Sequence, residues 1–291
     1  MPEMPETEAL ARFLTERAAG RRFERVRQLS VSALKTVDPP LPALEGRTVV
    51  SATRYGKLVG IATEGPDGPA GGLLHLVVHF ALAGWLRWYD ELPSTPVKPG
   101  GYINLRLLLD DGAGFDLTEA GKRHALAAYV VRDPADVPGI ASLGPDALSL
   151  DLAGFARLLE GRRQGIKNLL RDQQVVAGVG NAYSDEILHV ARMSPYKPAG
   201  NIAPHDLVDL YEAMRSVLGR AIEEASGRPP AELKDAKRTA MRVHGRDGLP
   251  CPECGDRIRS VKFADRSFQY CPTCQTDGEP LADRVLSRLV K

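Results

Sequence analysis

Cysteine is scarce in this chain of 291 residues, and its four cysteines all lie near the C-terminus. They form two Cys-x2-Cys pairs, Cys251 with Cys254 and Cys271 with Cys274, separated by sixteen residues. Two such pairs at this separation suit a tetrahedral Zn²⁺ held by four thiolates, with the stretch between them folded as a hairpin. The alternative, a pair of disulfides, needs an oxidising compartment, and residues 1–20 lack the apolar core of a secretory signal. The sequence therefore predicts one structural zinc ion.

Long hydrophobic runs and an excess of charge are also absent. The longest apolar stretch runs from Leu73 to Leu86, is interrupted by His75 and His79, and is shorter than the ~18 residues that a membrane-spanning helix needs. We therefore expect no membrane span. The 38 basic and 37 acidic residues leave a net charge of +1, which alone is no argument for a polyanionic partner.

Charge is nevertheless uneven along the chain. Residues 157–171 contain five basic side chains against one acidic, and residues 234–270 contain nine against five. Basic patches of this kind are typical of surfaces that contact phosphate groups. Either patch alone would be explained as well by a solvated charged face. Two patches on an otherwise balanced chain favour a phosphate-bearing partner.

The hydrophobic pattern of the first half of the chain predicts one helix followed by strands. Residues 5–19 have apolar side chains at helical spacing. Four short β-branched or apolar runs follow, at residues 47–52, 57–62, 73–78 and 102–107. Regularly spaced short strands separated by Gly, Pro and Asp predict a β-sandwich or barrel.

After a linker marked by Pro134, Pro138 and Pro145, the pattern becomes helical. The predicted helices are residues 151–160, 166–174, 181–192 and 204–225. Arg228-Pro229-Pro230 marks a second break before the basic, cysteine-bearing tail. We therefore expect an α+β protein in three parts. The expected boundaries divide the chain into residues 1–133, 134–235 and 236–291.

The first residues carry a potential nucleophile. Removal of Met1 would leave Pro2 with a free secondary amine, followed by the carboxylates of Glu3 and Glu6. An α-amino group has a pKa near ~8, so part of it is unprotonated at neutral pH and can attack an aldehyde-like carbon to form an iminium. The alternative is an ordinary processed N-terminus before a helix. The repeated Met4-Pro5 offers a rival start, but it would lose one of the two Pro-Glu pairs.

A glycine-rich turn links two of the predicted helices. Gly178 and Gly180 allow a tight turn and a close approach by another chain, and Asn181 can cap the helix that follows. The free N–H groups at a helix N-terminus suit a phosphate. A turn used only for packing is the alternative, and the arginine-rich residues 157–171 just before it favour the phosphate site.

Several separated motifs, in the same order, resemble one protein family. They are Pro2-Glu3-x-Pro5-Glu6, Arg54-Tyr55-Gly56-Lys57, Leu143-Gly144-Pro145, Gly178-Val179-Gly180-Asn181-x-Tyr183-x-x-Glu186, His244-Gly245-Arg246-x-Gly248 and Arg266-Ser267-Phe268-Gln269-Tyr270-Cys271-Pro272-x-Cys274-Gln275. Together they resemble the formamidopyrimidine-DNA glycosylase and endonuclease VIII family over essentially the whole chain.

The resemblance implies a bifunctional enzyme of base excision repair, a DNA glycosylase that is also an apurinic-site lyase. The implied fold is an N-terminal helix and β-sandwich, a helix-two-turn-helix domain and a C-terminal zinc β-hairpin finger. Double-stranded damaged DNA would lie in the cleft between the domains. We accordingly expect a monomer that carries one structural Zn²⁺ and works on DNA in the cytoplasm.

The same resemblance assigns roles to individual residues. Pro2 would attack C1′ of a damaged, everted nucleotide, and β- or β,δ-elimination would nick the strand. Glu3 would protonate the sugar ring or the departing group, and Glu6 would help to hold the N-terminus on the DNA-binding side. Lys57 would contact the phosphate of the lesion, and Arg266 at the hairpin tip would clamp phosphates. Further DNA contacts are implied for Asn181 and for Lys167 or Arg163.

Two segments depart from the family pattern. Leu82 stands where the purine-specific members have a Met that fills the space left by the everted base, and leucine can still act as a wedge. The family's Asp-Pro-Arg-Arg-Phe-Gly is lost near Thr118–His124, where Lys122 or Arg123 could replace the Arg and no Phe remains. Residues 226–242 are also shorter than the loop that caps 8-oxoguanine. These departures put base selectivity in doubt, while the amine chemistry is untouched.

Two other functions fit the same residues. One is a lyase or lesion-binding protein with little glycosylase activity, which would keep Pro2 and Glu3 but lack a proper base pocket. The other is a non-enzymatic zinc-hairpin DNA-binding protein whose N-terminal residues are idle. Release of a free base from damaged duplex distinguishes the first from a glycosylase, and a blocked or unprocessed N-terminus would favour the second.

Overall fold

The structure, a computed structural model, describes residues 1–121, 124–263 and 267–282, without the side chains of residues 69 and 70. Its contacts group into two compact units. The N-terminal unit comprises Met1–Ser142 and Ala225–Lys234, and the C-terminal unit comprises Leu143–Glu224 and the residues from Asp235 onward. No helix in the described ranges is long and apolar enough to cross a membrane.

The N-terminal unit consists of one long helix, eight strands and short helical turns. Its elements are α1 (Met4–Ala18), β1 (Phe23–Gln28), β2 (Thr48–Tyr55), β3 (Leu58–Gly65), β4 (Gly68–His79), β5 (Gly84–Tyr89), β6 (Ile103–Leu109), β7 (Gly114–Glu119), β8 (Ala127–Val131) and α2 (Pro138–Ala141). The strands form two antiparallel four-stranded sheets, in the orders β2-β3-β4-β8 and β1-β6-β7-β5. The expected sandwich is therefore confirmed.

One hydrophobic core joins the two sheets and the helix. Leu10 and Leu14 of α1, Ile61 of the first sheet, and Phe23 and Phe115 of the second sheet all belong to it and are almost fully buried. The spacing of the two leucines places them on one face of α1. This face fixes the helix on the sandwich, so the residues just before α1 are held at a defined place.

A buried ion pair crosses the second sheet. Arg106 of β6 and Asp116 of β7 are cross-strand partners whose side chains form two hydrogen bonds of 2.8 and 2.9 Å. The Tyr89 hydroxyl donates to the same carboxylate at 3.1 Å. Asp116 is completely buried, and a buried charge of this kind is tolerated only when it is fully paired.

The C-terminal unit is mainly helical and ends in a small hairpin. Its elements are α3 (Leu152–Leu159), α4 (Ile166–Arg171), α5 (Asn181–Val190), most of α6 (Pro204–Ala225), the second half of α7 (Pro230–Ala240), β9 (Arg259–Lys262), β10 (Ser267–Tyr270) and α8 (Pro272–Gln275). β9 and β10 form an antiparallel pair between the two cysteine pairs. The predicted α+β fold with a terminal hairpin is confirmed.

The structure adds elements that the pattern did not predict. Four strands, β1, β5, β7 and β8, were missed. Charged residues interrupt the apolar character of the first three, as Asp116 does in β7, and β8 is only five residues long. Helix α7 was also missed, since Arg228-Pro229-Pro230 indicated a break. Pro230 instead occupies the start of the helix, where a missing N–H costs nothing. Ala225 and Leu233 are buried in the N-terminal core, and the predicted domain boundaries after residues 133 and 235 stay predictions.

Candidate active site and nucleic-acid interface

The first residues of the chain are buried rather than loose. Pro2 is buried, and Glu3 and Glu6 are only 2% and 3% exposed. The Glu3 N–H donates to Glu6 Oε2 at 2.8 Å, which fixes the backbone one residue after Pro2. This hydrogen bond links Glu6 to the backbone of the first residues, and the implied role of Glu6 at the N-terminus and in DNA binding stays a prediction.

A second contact joins the start of α1 to the turn between β2 and β3. The Thr7 hydroxyl lies 3.0 Å from the carbonyl oxygen of Glu3 and 3.2 Å from that of Gly56. Gly56 has a φ of +57°, which glycine adopts without strain, and Lys57 follows it. The structure therefore brings Glu3 and Lys57 to the same corner. Sequence reasoning missed Thr7, whose role depends on a contact across 49 positions of the chain.

Lys57 lies at the edge of the sandwich and is only 7% exposed. The next residue, Leu58, pairs with His79 on β4. Burial lowers the pKa of His79, and the nearby positive charge of Lys57 lowers it further. An ion pair with a 2.9 Å contact between Arg54 and Glu8 ties the same turn to α1 a second time. The turn that carries Lys57 is thus fixed on both sides.

Leu82 stands at the tip of the turn between β4 and β5 and is 69% exposed. The turn is tight: Ala81 has a φ of +52°, and the Gly84 N–H donates to the Phe80 carbonyl at 2.8 Å. A side chain at position 84 would place its Cβ 2.2 Å from that same carbonyl oxygen, so only glycine fits. A large apolar side chain is therefore presented to solvent on a backbone with little freedom.

The segment predicted to share the void-filling role begins beside this turn. Gly84 pairs with Glu119, and the Ala120 N–H points to the carbonyl of Ala83 at 3.4 Å. Glu119 is 2% exposed, and its Oε1 accepts hydrogen bonds from Ala125 and Leu126 at 2.8 and 2.9 Å. This carboxylate therefore links the two ends of the segment. Its role was not predicted from the sequence. Lys122 and Arg123 lie outside the described residues.

The four cysteines come together as predicted. Their Sγ atoms all lie within 4.8 Å of one another, with 3.9 Å between Cys251 and Cys274 and 3.4 Å between Cys254 and Cys271. A tetrahedron of zinc–sulfur bonds requires sulfur atoms about 3.8 Å apart. Burial raises the pKa of the Cys271 thiol to about 11, and a bound cation offsets this by stabilising the thiolate. The donor set fits Zn²⁺.

Helix α5 holds the hairpin through a row of polar side chains. The Asn181 Nδ2 donates to the Ser267 carbonyl at 2.8 Å, and the Gln269 N–H donates to Asp185 Oδ2 at 3.2 Å. The prediction that Asn181 caps α5 is wrong, because Gly180 is the N-cap and Asn181 is the first helical residue. Its amide is used to bind the hairpin instead.

Glu186 of α5 fastens the segment that leads into the finger. Its carboxylate accepts three backbone N–H groups, from Arg242 at 2.8 Å, Val243 at 3.0 Å and His244 at 2.8 Å. Burial raises the pKa of Glu186, and the three donors oppose that shift. The sequence did not predict that Glu186 and Asp185 bind backbone and side-chain groups of the finger segment, because an acidic residue on a helix is usually solvated.

Lys167 is placed differently from the prediction. It is 4% exposed, and its Nζ lies 2.6 Å from Asp185 Oδ1 and 5.5 Å from the centre of the Phe268 ring. Asp185 also lies 2.7 Å from His244 Nδ1, so the aspartate joins α4, α5 and the finger segment. The structure gives Lys167 a positioning role in this network, and its implied phosphate contact stays a prediction.

A cavity with basic and aromatic walls lies beside this network. Arg163 is exposed at its edge, and the Asn181 side chain also lines it. The other lining residues are Gly165, Lys167, Asn168, Arg171, Pro195, Tyr196, Phe263, Ser267 and Phe268. Gly178, with a φ of +101°, makes the turn before α5 as predicted. Arg266 lies outside the described residues, so its phosphate clamp also stays a prediction.

Comparison with known protein families gives matches to three successive parts of the chain. Residues 1–125 match the formamidopyrimidine-DNA glycosylase N-terminal domain, residues 143–229 match the H2TH domain of that glycosylase, and residues 248–276 match the zinc finger found in FPG and IleRS. The formamidopyrimidine-DNA glycosylase of Thermus thermophilus is 33% identical over 289 residues, which cover 96% of this chain and 100% of the relative.

Other relatives differ in how much of the chain they share. An uncharacterized formamidopyrimidine-DNA glycosylase-like protein of Mycobacterium tuberculosis is 55% identical over 157 residues, 54% of this chain and 99% of that protein. The crystal structure of MutM (Fpg) from Thermus thermophilus is 30% identical, with a TM-score of 0.77 over 96% of this chain and 100% of that one. A Lactococcus lactis Fpg, solved in complex with abasic-site DNA, is 23% identical with a TM-score of 0.81 over 94% and 99%, and shows a shared fold.

A β-sandwich with a buried N-terminus, an H2TH domain and a four-cysteine finger define a zinc-containing DNA-repair glycosylase. The chain belongs to the formamidopyrimidine-DNA glycosylase family. It is accordingly an enzyme of base excision repair with glycosylase and apurinic-site lyase activity. The predicted family, activity and single structural zinc ion are confirmed.

Proposed function

We propose that the amine of Pro2, freed by removal of Met1, attacks C1′ of a damaged nucleotide everted from duplex DNA. The new carbon–nitrogen bond replaces the glycosidic bond, and the base leaves with a proton from the enzyme. The attached nitrogen then loses its proton, the C1′–O4′ bond breaks as the ring oxygen takes a proton, and the nitrogen lone pair forms the C1′ iminium. The iminium acidifies the C–H bonds of C2′, which loses a proton, and the 3′ phosphate departs by β-elimination. A further elimination at the 5′ side would complete β,δ-elimination.

The observation that carries this proposal is the fixed position of the first residues. The backbone of Glu3 is held by Glu6 and, through Thr7, by the turn that presents Lys57. Holding a nucleophile in a defined geometry removes much of the entropic part of a reaction barrier. Glu3 directly follows the amine and is almost completely buried, which suits the acid that protonates the leaving group. Lys57 is the cation at this corner that would contact the lesion phosphate.

Double-stranded damaged DNA is the proposed partner of both units. The exposed Arg163 and the cavity that Asn181 lines suit a phosphate backbone better than the paired Lys167 does. In the N-terminal unit, the exposed Leu82 would occupy the space left by the everted base, with Lys122 beside it. Arg266 would clamp the backbone from the hairpin. We further propose that the protein acts as a monomer on DNA in the cytoplasm.

Reductive trapping tests the proposal. The purified protein would be incubated with a duplex bearing one apurinic site, with and without borohydride, and with duplexes bearing single oxidised bases. We expect a covalent adduct that peptide mapping places on Pro2, strand scission without borohydride, and release of free base from the damaged duplexes.

Two variants serve as controls for this experiment. Glu3→Gln should reduce base release by about 10²- to 10⁴-fold, because it removes the acid. Pro5→Ala should leave trapping intact, because it alters the repeated Met-Pro-Glu without touching the amine. Scission without base release would support a lyase with little glycosylase activity. DNA binding without any adduct would support a non-enzymatic binding protein and would contradict the proposal.

A further inference from the structure

His189 lies one helical turn beyond the polar row by which α5 holds the hairpin. Asn181, Asp185 and His189 are spaced by four residues and therefore lie on one face of α5. The first two hold Ser267 and Gln269 of the hairpin. The third is 1% exposed, and its Nε2 lies 3.2 Å from the Sγ of Cys251. One helix face thus contacts the hairpin and a zinc ligand in succession.

The chemistry of Cys251 decides which ring nitrogen of His189 carries the hydrogen. A zinc-bound cysteine is a thiolate and can only accept a hydrogen bond. Nε2 must then be the donor, and Nδ1 of the neutral ring is left with a lone pair. Nδ1 is buried, and it has no hydrogen-bond partner in the part of the chain that the structure describes. Burying this nitrogen without a partner costs free energy, and the hydrogen bond between the other ring nitrogen and Cys251 offsets part of that cost.

We propose that His189 is a positioning residue of the zinc site, whose Nε2–H donates to the Cys251 thiolate and fastens the metal to helix α5. Hydrogen bonds from outside the metal's own ligands orient those ligands and withdraw charge from the sulfur. Cys251 is itself buried, so it has little access to water as an alternative donor. The bond ties the finger to the same rigid helix that holds the hairpin through Asn181.

The expected consequence is slower loss of zinc, which can be measured without any DNA or catalytic assay. His189→Phe retains an aromatic ring of similar size and removes the donor. We expect this variant to bind zinc about 10- to 100-fold more weakly than the native protein, as is usual when such an outer hydrogen bond is lost. Zinc transfer from the purified holoprotein to a chromogenic chelator gives both the rate and the equilibrium.

Two further variants separate the hydrogen bond from simple packing. His189→Gln can place an amide N–H near the position of Nε2 and should restore most of the zinc affinity. His205→Phe is the matched control, because His205 is exposed in the same unit and its Nε2 lies 3.0 Å from Asp206 Oδ1 rather than near a cysteine. Native zinc retention in His189→Phe, or equal loss in the Phe and Gln variants, would overturn the proposal.

A measurement on the native protein decides the question even where His189→Phe does not fold. The nitrogen chemical shifts of the His189 ring in the zinc-loaded protein distinguish the Nε2–H from the Nδ1–H tautomer. We expect Nε2–H, and with cadmium in place of zinc we expect a scalar coupling from the metal through Cys251 to that hydrogen. Finding the Nδ1–H tautomer would show that Cys251 receives no hydrogen bond from His189.

Discussion

In the N-terminal unit the proposed catalytic residues adjoin elements that pack on one large apolar core, whereas the finger of the C-terminal unit has very little core of its own. Two small clusters serve the finger: Val243, Cys251, Ile258 and Cys271 form one, and Val261, Phe268 and Tyr270 form the other. Segments this small rarely fold without a metal or disulfides. The C-terminal unit compensates with zinc and with the polar side chains of α5.

The two proposed sites therefore depend on different structural features. The corner with Glu3 and Lys57 needs only a folded sandwich and a processed N-terminus. The hairpin needs bound metal and a complete set of hydrogen bonds from Asp185, Glu186 and their neighbours. It follows that the two can be disabled independently.

The largest effect should come from blocking the amine. An extra residue ahead of Pro2 converts the amine to an amide, and we expect covalent trapping on an apurinic site to fall by about 10³-fold or more. Zinc content and DNA binding should stay at native values. The same extension at the C-terminus is the matched control, because it leaves the amine of Pro2 free. Intact mass should show that Met1 is absent from active protein. An N-terminus at Met1 or Pro5 in active protein would show that the nucleophile is assigned wrongly.

Loss of zinc should disable the other unit alone. We expect Cys254→Ser to abolish measurable DNA binding, because the hairpin loses its fixed conformation. Both tryptophans, Trp85 and Trp88, lie in the N-terminal unit, so their fluorescence reports on that unit only. The tryptophan unfolding transition should not change in the variant. Native protein without stoichiometric zinc, or a lost tryptophan transition in Cys254→Ser, would contradict this independence.

Two buried ion pairs, one in each unit, allow the stabilities of the two units to be compared through the same kind of substitution. Asp185→Asn leaves Lys167 buried without its charge partner, and Asp116→Asn does the same to Arg106. Each should lower stability by about 3–5 kcal/mol, since removing one partner of a buried pair strands the other. Hydrogen exchange should show the first change in the hairpin and the second in the sandwich. Equal loss of protection in both units from either variant would mean that they do not unfold separately.

The smallest expected effect concerns base selectivity. Residues 226–242 form α7 over most of their length. The family resemblance implies that this segment is shorter than the capping loop of the purine-specific branch. Each lost contact to a flipped base forfeits about 1–3 kcal/mol of discrimination. We therefore expect efficient cleavage of apurinic sites, broad and weaker action on oxidised pyrimidines or ring-opened purines, and poor excision of 8-oxoguanine. Single-turnover rates on matched duplexes decide this, and faster removal of 8-oxoguanine than of an oxidised pyrimidine would refute it.

The sequence predicted those features that are local in the chain. The spacing of the cysteines indicated the zinc site, and short apolar runs indicated about half of the strands. Thr7 and Asp185 could not be predicted, because each acts through partners that only the folded chain brings near. The partners of Glu119 are close in the chain, but no local pattern indicated that this strand carboxylate is buried. The pairing of Lys167 with Asp185 was not indicated either, because a basic residue within an arginine-rich stretch is expected to face phosphate; that phosphate contact stays a prediction.

The burial of Pro2 also constrains the biogenesis of the enzyme. Met1 is 44% exposed, but the bond that links it to Pro2 lies at a residue that is packed against the protein. An aminopeptidase must take an extended terminus into its own cleft, so the folded corner is a poor substrate. On the proposed mechanism, Met1 is therefore removed more readily while the chain is still emerging from the ribosome. Rapid overproduction should then yield a fraction of folded molecules that keep Met1 and mature slowly.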